Sequence, residues 1–393
     1  MILLTIALFS LIGIAALTID IGHLFVVRSE LKNAADAGAL AGARSLYLDD
    51  GTAVNADANR VAYDASVANR SDQLAVEVNW TGGNGGDVER GHWSFAAGTF
   101  TPSSSLAPVD LWNVTAAGLD ANMDFINAVR VRTRREATPA ASFLARIFGF
   151  RNFGMSAESV AYIGFAGALE PNAVDQPFAI CKQSLLVNDR YECTVGRMMN
   201  DNEQTGGWTN FTQEYCSTAS ASSVDPLICG TGNNTPIYLG QPMGMTNGTQ
   251  TSNFNGLRNC WAPGGRLPVS RWQVTLPVID CTTKPQGGCV NPVIGAVEVN
   301  VLYISSSSND PHFKDVPVQM ENWSCSPPGE ACWNSFVQHF NLRKTNGQLA
   351  TAANGGYTQK TIYFLPDCAP HSRVGKTGGE NFGILAKIPV LVR

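Results

Sequence analysis

The chain opens MILLTIALFSLIGIAALTI, nineteen residues without a charge. As a helix that run spans about 29 Å, one hydrocarbon thickness of a bilayer. A cleavable secretory signal has a basic leading region, a shorter apolar core and a small-residue cleavage site. Here no Lys or Arg precedes Arg28. The segment therefore reads either as a retained membrane helix or as a chain already processed just upstream of Met1. The missing basic flank favours processing, since in a precursor those charges would hold the N-terminus in the cytoplasm. Past Asp20, helix formers dominate through Leu46 and no proline occurs before Pro102. The expectation is one helix over residues 1–46, about 69 Å long, greasy all round at first and amphipathic later.

Two features of this helix invite an assembly role. Asp20 closes the apolar run, so it either pairs with a cation or amine of a neighbouring subunit or sits in water at head-group level. Ala34, Gly38 and Gly42 are spaced by four, which lets another backbone approach closely. That strip packs either on another helix or on the protein's own sheet.

The cysteines divide the chain. Residues 1–180 contain none, whereas Cys181, Cys193, Cys216, Cys229, Cys260, Cys281, Cys289, Cys325, Cys332 and Cys368 all follow. An even count at irregular spacing, with no CxxC pair for zinc, predicts up to five disulfides in an oxidising compartment. Spacing leaves the pairing open. Charged residues make up 15% and the net charge is −5, so no polycationic signature for nucleic acid exists. Composition shifts again near Pro171–Pro177. The predicted division is a helix over 1–46, a mixed α+β head over 47–175 and a disulfide-rich β domain over 176–393.

Within the head, Leu74–Trp80 alternates like a strand, and Thr81–Asp87 is a glycine-rich turn that matches a single calcium-binding nonapeptide core. Val129, Val131 and Thr133 alternate with Arg130, Arg132 and Arg134, placing three arginines on one face as a solvated sheet surface or a basic patch. Ala141–Phe148 reads as a short helix and Gly154–Ile163 as a returning strand. Further on, strand signals recur at Trp272–Leu276, Ala296–Leu302, Lys360–Phe364 and Ile384–Val392.

Several of these stretches resemble TadG-like proteins of the tight-adherence (Flp-type) pilus-assembly machinery. They are the apolar helix with Asp20, then Arg28-Ser-Glu-Leu31, then Asn33-Ala-Ala-Asp36-Ala-Gly-Ala-Leu40-Ala-Gly-Ala43. Gly91-His92-Trp93, Asn127–Val131, Phe143–Gly149 and Ser156–Ala161 follow in the order of the extracytoplasmic domain of such chains. The resemblance covers roughly residues 1–180. It departs from many relatives in lacking the Asp-x-Ser-x-Ser run of a von Willebrand A domain, since Asp64-Ala-Ser66-Val-Ala68 breaks that pattern. It departs from type IV pilins in carrying Thr5 where they carry glutamate.

Catalytic motifs are missing from the sequence: there is no His-Glu-x-x-His, Gly-x-Ser-x-Gly, P-loop or dinucleotide fingerprint. Asp310-Pro-His312 and Asp367-Cys-Ala-Pro-His371 bring acid near imidazole and would form a site only if the fold joined them. Trp208, Trp261, Trp272, Trp323 and Trp333 read as core around disulfides, with a glycan platform as the alternative. The expectation is an α+β protein, not an enzyme, with no cofactor and no catalytic or metal residues. Its role would be that of a structural subunit of a pilus-like filament or of the Tad-type assembly apparatus. The alternative is a membrane-anchored adhesin or assembly factor that never polymerises. Asp20, Gly38 and Gly42 would serve helix assembly, and the partners would be the inner membrane and then like or related subunits. The location follows: inner membrane with extracytoplasmic domains, then an extracellular filament if it polymerises.

Overall fold

Alanine, leucine and isoleucine fill the N-terminal segment and no proline interrupts it, so it winds into one helix, α1 (Ile2–Arg44), about 65 Å long. The computed structural model describes residues 2–48, 51, 53–188, 190–193, 197–198, 205–246, 250–281, 286–344 and 346–393. After α1 come α2 (Ala58–Val67), β1 (Val88–Ser94), β2 (Thr99–Pro102), β3 (Ala128–Ala141) and β4 (Asn152–Tyr162). The second half adds β5 (Phe178–Cys181), β6 (Arg197–Met198), β7 (Gly206–Thr209), β8 (Met245–Thr246), α3 (Thr251–Trp261), β9 (Trp272–Ile279) and β10 (Val293–Ser305). It closes with α4 (Glu330–His339), β11 (Thr361–Pro366), β12 (His371–Lys376), β13 (Ile384–Ile388) and β14 (Val390–Leu391).

The head is an antiparallel sheet in the order β14-β4-β3-β1-β2, against which α1 and α2 pack. Val129, Val131 and Thr133 of β3 point inward, as a period of two requires. The two valines meet Ala35, Ala39 and Ala43 of α1 and Ala58 and Ala62 of α2, small side chains that let the layers close up.

The distal domain is a mixed seven-stranded sheet, β6-β11-β10-β9-β5-β7-β8, with β9 and β5 its parallel pair. β10 is apolar almost throughout because both its faces are covered. On one face, Phe254, Leu257 and Trp261 of α3 and Trp333, Phe336 and Val337 of α4 join the valines of β10. On the other, Ala179, Ile279, Val293 and Ala296 pack with Ile384 and Ala386 of β13. The disulfides are Cys181–Cys281, Cys193–Cys368, Cys216–Cys289, Cys229–Cys260 and Cys325–Cys332.

The α+β class, the long apolar helix and the disulfide-rich β portion stand as expected, and four details change. Leu74–Trp80 forms no continuous strand: it gives the two-residue strand Leu74–Ala75 and then single bridges, Glu77 to Arg134 and Trp80 to Gly86. Ala141–Phe148 is not a helix: β3 runs on to Ala141 and a single 3-10 turn occupies Ala145–Phe148. Ala168–Leu169 already pairs with Ile237–Tyr238 of the distal half, ahead of the expected boundary at 175/176. Finally, the C-terminus returns to the head, where Val390 pairs with Tyr162 and Leu391 with Ala161. The distal domain is thus joined to the head through β4 at both its ends, following on from β4 and returning to pair with it.

Candidate functional site

α1 leaves the head as a bare apolar rod. Leu4, Leu11, Ile14, Leu17 and Ile19 are exposed, and so are Ile21, Phe25 and Val26 beyond Asp20. Its span from Ser10 is long and apolar enough to cross a membrane. From Val27 on, the helix is seated instead in protein. The Leu31 carbonyl accepts from Thr133 Oγ1 at 2.8 Å, the Val27 carbonyl from Ser71 Oγ at 3.2 Å, and the Glu30 carboxylate from the Asp72 N–H at 2.7 Å. Lys32 Nζ donates to Ser159 Oγ at 2.8 Å, the Glu158 carbonyl at 3.0 Å and the Arg393 carbonyl at 3.2 Å, and pairs with Asp36 at 3.1 Å. One lysine on the rod therefore gathers β4 and the C-terminus together.

The small-residue strip is used inside the chain. A Cβ on Gly38 would lie 1.9 Å from Ser66 Oγ and 2.8 Å from the Ala62 carbonyl oxygen. On Gly42 it would lie 2.7 Å from Ala62 Cβ and 2.9 Å from Val129 Cγ1. The close approach that small residues permit is thus made with α2 and β3. Ala34 of the same strip is buried with Val27, Leu31, Val76 and Ala140.

Asp20 is 3% exposed beneath the β3–β4 hairpin tip. Its carboxylate accepts from the N–H groups of Phe143 at 2.6 Å, Leu144 at 3.1 Å and Ala145. An acid at the end of a greasy helix is tolerable when its hydrogen bonds are met within the chain, and the opening of the 3-10 turn meets them. His23 follows on the same face, 3.4 Å from Asp72 and 4.8 Å, ring to ring, from Phe143. Asp20, Gly38 and Gly42, expected to serve helix assembly, each meet partners within the chain.

The alternating arginines form no free basic patch. Arg130 pairs with Glu89, and Arg134 with Asp87 and Glu136, while Arg132 donates to Ser156 Oγ at 3.3 Å. Asp87, which ends the glycine turn, also accepts from the Asn79 N–H at 2.8 Å, so it is occupied as the partner of Arg134. Glu77 caps the bulge in β3. Its partial burial opposes charge, but the Thr138 hydroxyl and the N–H groups of residues 136–138 prevail and bring its carboxyl down to about 2.

In the distal domain the fold joins Asp367 and His371 to Glu298 of β10, and not to Asp310 or His312. Ligating atoms of the three lie within 4.8 Å of one another. His371 lies 3.5 Å from each carboxylate, Arg373 donates to Glu298 at 2.8 Å, and Asn300 and Gln273 donate to Asp367 at 3.1 Å. Burial pushes the Glu298 carboxyl up, against the pull of His371 and Arg373. Burial would raise Asp367 too, yet the His371 ring 3.5 Å away, the Ala369 N–H and Asn300 hold it well below the usual range. The His371 ring and the Arg373 guanidinium beside two carboxylates make a polar network that ties β10 to β12. His312 pairs separately with Asp315 at 2.9 Å. Trp208, Trp261, Trp323 and Trp333 are buried in the core, which removes them from a glycan platform.

Sequence reasoning overlooked Lys32, Glu77, Glu298 and the hairpin tip. Glu298 carried a signal: it is an acid in the middle of an otherwise apolar strand, Val-Glu-Val-Asn-Val. The tip carried one too, with Phe143, Leu144, Ile147, Phe148 and Phe150 crowded into eight residues.

Residues 1–45 match the family model described as Flp pilus-assembly TadE/G-like, and residues 41–161 match the one described as Tad-like Flp pilus-assembly. The second match ends at Ala161, one residue short of the end of β4, so together the two cover α1 and the head up to the point where the distal domain begins. No curated protein and no solved structure matches the chain.

Proposed function

We propose, from the TadE/G-like match over residues 1–45 and the Tad-like match over residues 41–161, that the chain is a membrane-anchored structural component of the Tad-type pilus apparatus. α1 holds the protein in the inner membrane, while the head and the disulfide-bonded domain stand in the oxidising space beyond. The work assigned to the chain is packing and tethering rather than catalysis. The observation that carries this reading is the division of α1: exposed apolar side chains from Leu4 to Val26, then a face buried in the head from Val27 on. An apolar rod of that length needs lipid or other helices around it.

The anchored form is preferred to a polymerising subunit because Asp20, Gly38 and Gly42 are already engaged within the chain. Helix-to-helix contacts with like or related subunits would have to use the outward faces of residues 4–26. Shearing cells gently and fractionating them separates the two forms. The proposal expects the chain in the inner-membrane fraction, released by detergent and retained through a high-pH wash. Recovery in sheared fibres built mainly of this chain would replace it with the filament reading.

A further inference from the structure

The tip of the β3–β4 hairpin is an apolar knob in an unusual place. Phe143, Ile147, Phe148 and Phe150 are 52–71% exposed, on a stretch of only eight residues. Exposed apolar groups so close together mark a contact surface rather than scatter. Arg146 and Arg151 stand exposed among them.

Its position relative to α1 is fixed. β3 runs down the helix toward the N-terminus: Val129 lies against Gly42, Thr133 bonds to Leu31, and the N–H groups of residues 143–145 bond to Asp20. The exposed apolar surface of the helix does not stop at Asp20 but continues through Phe25 and Val26, and its first basic residue is Arg28. Asp20 lies eight residues, about 12 Å, on the lipid side of Arg28. The tip is therefore held at a level where the helix still presents apolar side chains outward.

The backbone of the tip is prepared for such surroundings. Within it, the N–H of Ile147 bonds to the Leu144 carbonyl, Gly149 to Arg146, Phe150 to Ala145 and Ser142 to Arg151, while Ser142 Oγ donates to the Phe150 carbonyl. Together with the bonds to Asp20, these engage the N–H groups of residues 142–145, 147, 149 and 150 within the protein, which lowers the cost of placing irregular backbone near lipid.

We infer that the hairpin tip dips into the outer boundary of the same bilayer that α1 spans, as a second anchor locked to the first by Asp20. Phe143, Ile147, Phe148 and Phe150 enter the acyl boundary, and the guanidinium groups of Arg146 and Arg151 reach back to phosphate oxygens. Two anchors fix the head's tilt and rotation on the membrane, which a single helix leaves free. The occupant is lipid because the patch continues the exposed apolar band of α1 at the same level.

This inference rests on α1 spanning a bilayer, and the test separates the two. All ten native cysteines are paired, so an added cysteine is the one free thiol. Three single variants of the full chain, Phe148→Cys, Ile19→Cys and Ala97→Cys, are labelled with a nitroxide in phosphatidylethanolamine–phosphatidylglycerol nanodiscs. Relaxation by oxygen is then compared with relaxation by a water-soluble nickel chelate. The expected oxygen-to-nickel ratio at 148 is several-fold above that at the exposed Ala97 and close to that at Ile19. A ratio at 148 equal to that at 97, with 19 still in lipid, would overturn the inference and leave the membrane helix standing. A nickel-accessible label at 19 would overturn both. Spin–spin broadening at 148 that vanishes on dilution with unlabelled protein would assign the patch to a second copy and overturn the lipid assignment. Ile147→Ser, measured with the label at 148, should lower the ratio without unfolding the head.

Discussion

The head and the distal domain solve the same stability problem with different chemistry. The head has no cysteine and relies on the close approach of small residues across α1, α2 and β3, with carboxylates capping its turns. Besides Asp20 and Glu77, Asp120 accepts from the N–H groups of Phe95 and Ala96 and from Ser94 Oγ. The distal domain has two aromatic-bearing helices on its sheet and five disulfides, closing loops of up to 175 residues. The difference follows from what each part is built on. The head is packed on a helix that continues beyond it as an exposed apolar rod. The distal domain hangs by both ends from β4 and must hold its long loops by itself.

The largest effect should come from breaking a long cross-link. Cys181→Ser with Cys281→Ser opens a link across a 100-residue separation and should cost the distal domain about 4–5 kcal/mol, against about 2 for Cys325 and Cys332, seven residues apart. Hydrogen exchange resolved by peptide reads this: protection should fall over 178–388 and persist over 88–94 and 128–162. Equal loss in both regions would erase the contrast. The complementary change is Gly38→Ala or Gly42→Ala, whose added methyl meets the Ala62 backbone or the Val129 side chain. It should cost the head about 1–3 kcal/mol in thermal unfolding and leave the distal transition in place.

A third change is smaller and depends on pH. The folded-state Glu77 carboxyl is lowered to about 2 from an ordinary 4.5, so its contribution is complete above about pH 4.5 and is lost as pH falls toward 2. Solvent screening keeps that contribution below about 1 kcal/mol. Glu77→Gln should flatten the acid limb of the head's melting curve between pH 5 and pH 2 (roughly the window spanned by the two values) and leave the distal limb alone. An unchanged acid limb would remove the capping role from Glu77.

Much of this division was legible in the sequence, and the reasons are local. α1 follows from an uninterrupted apolar run, and β9, β10 and β11 from apolar stretches of strand length. Oxidising chemistry follows from an even cysteine count. Where the account needed a partner far along the chain, local pattern gave no help. Asp20 meets Phe143 across 123 positions, and Lys32 meets Arg393 across 361. The alternation at 129–134 revealed the arginine face but not Glu89 and Asp87 on the neighbouring segment, which neutralise it. The strip at Ala34, Gly38 and Gly42 announced a close approach and was silent on which backbone approaches.

The central claim is that the N-terminal half of α1 lives in lipid while its C-terminal half is seated in the head. A cysteine placed at Leu11, in living cells whose outer membrane has been permeabilised, tests it most directly when compared with one at Ala97. The account predicts that a membrane-impermeant maleimide labels position 97 at once and position 11 only after detergent is added. Equal labelling of the two positions before detergent would contradict it.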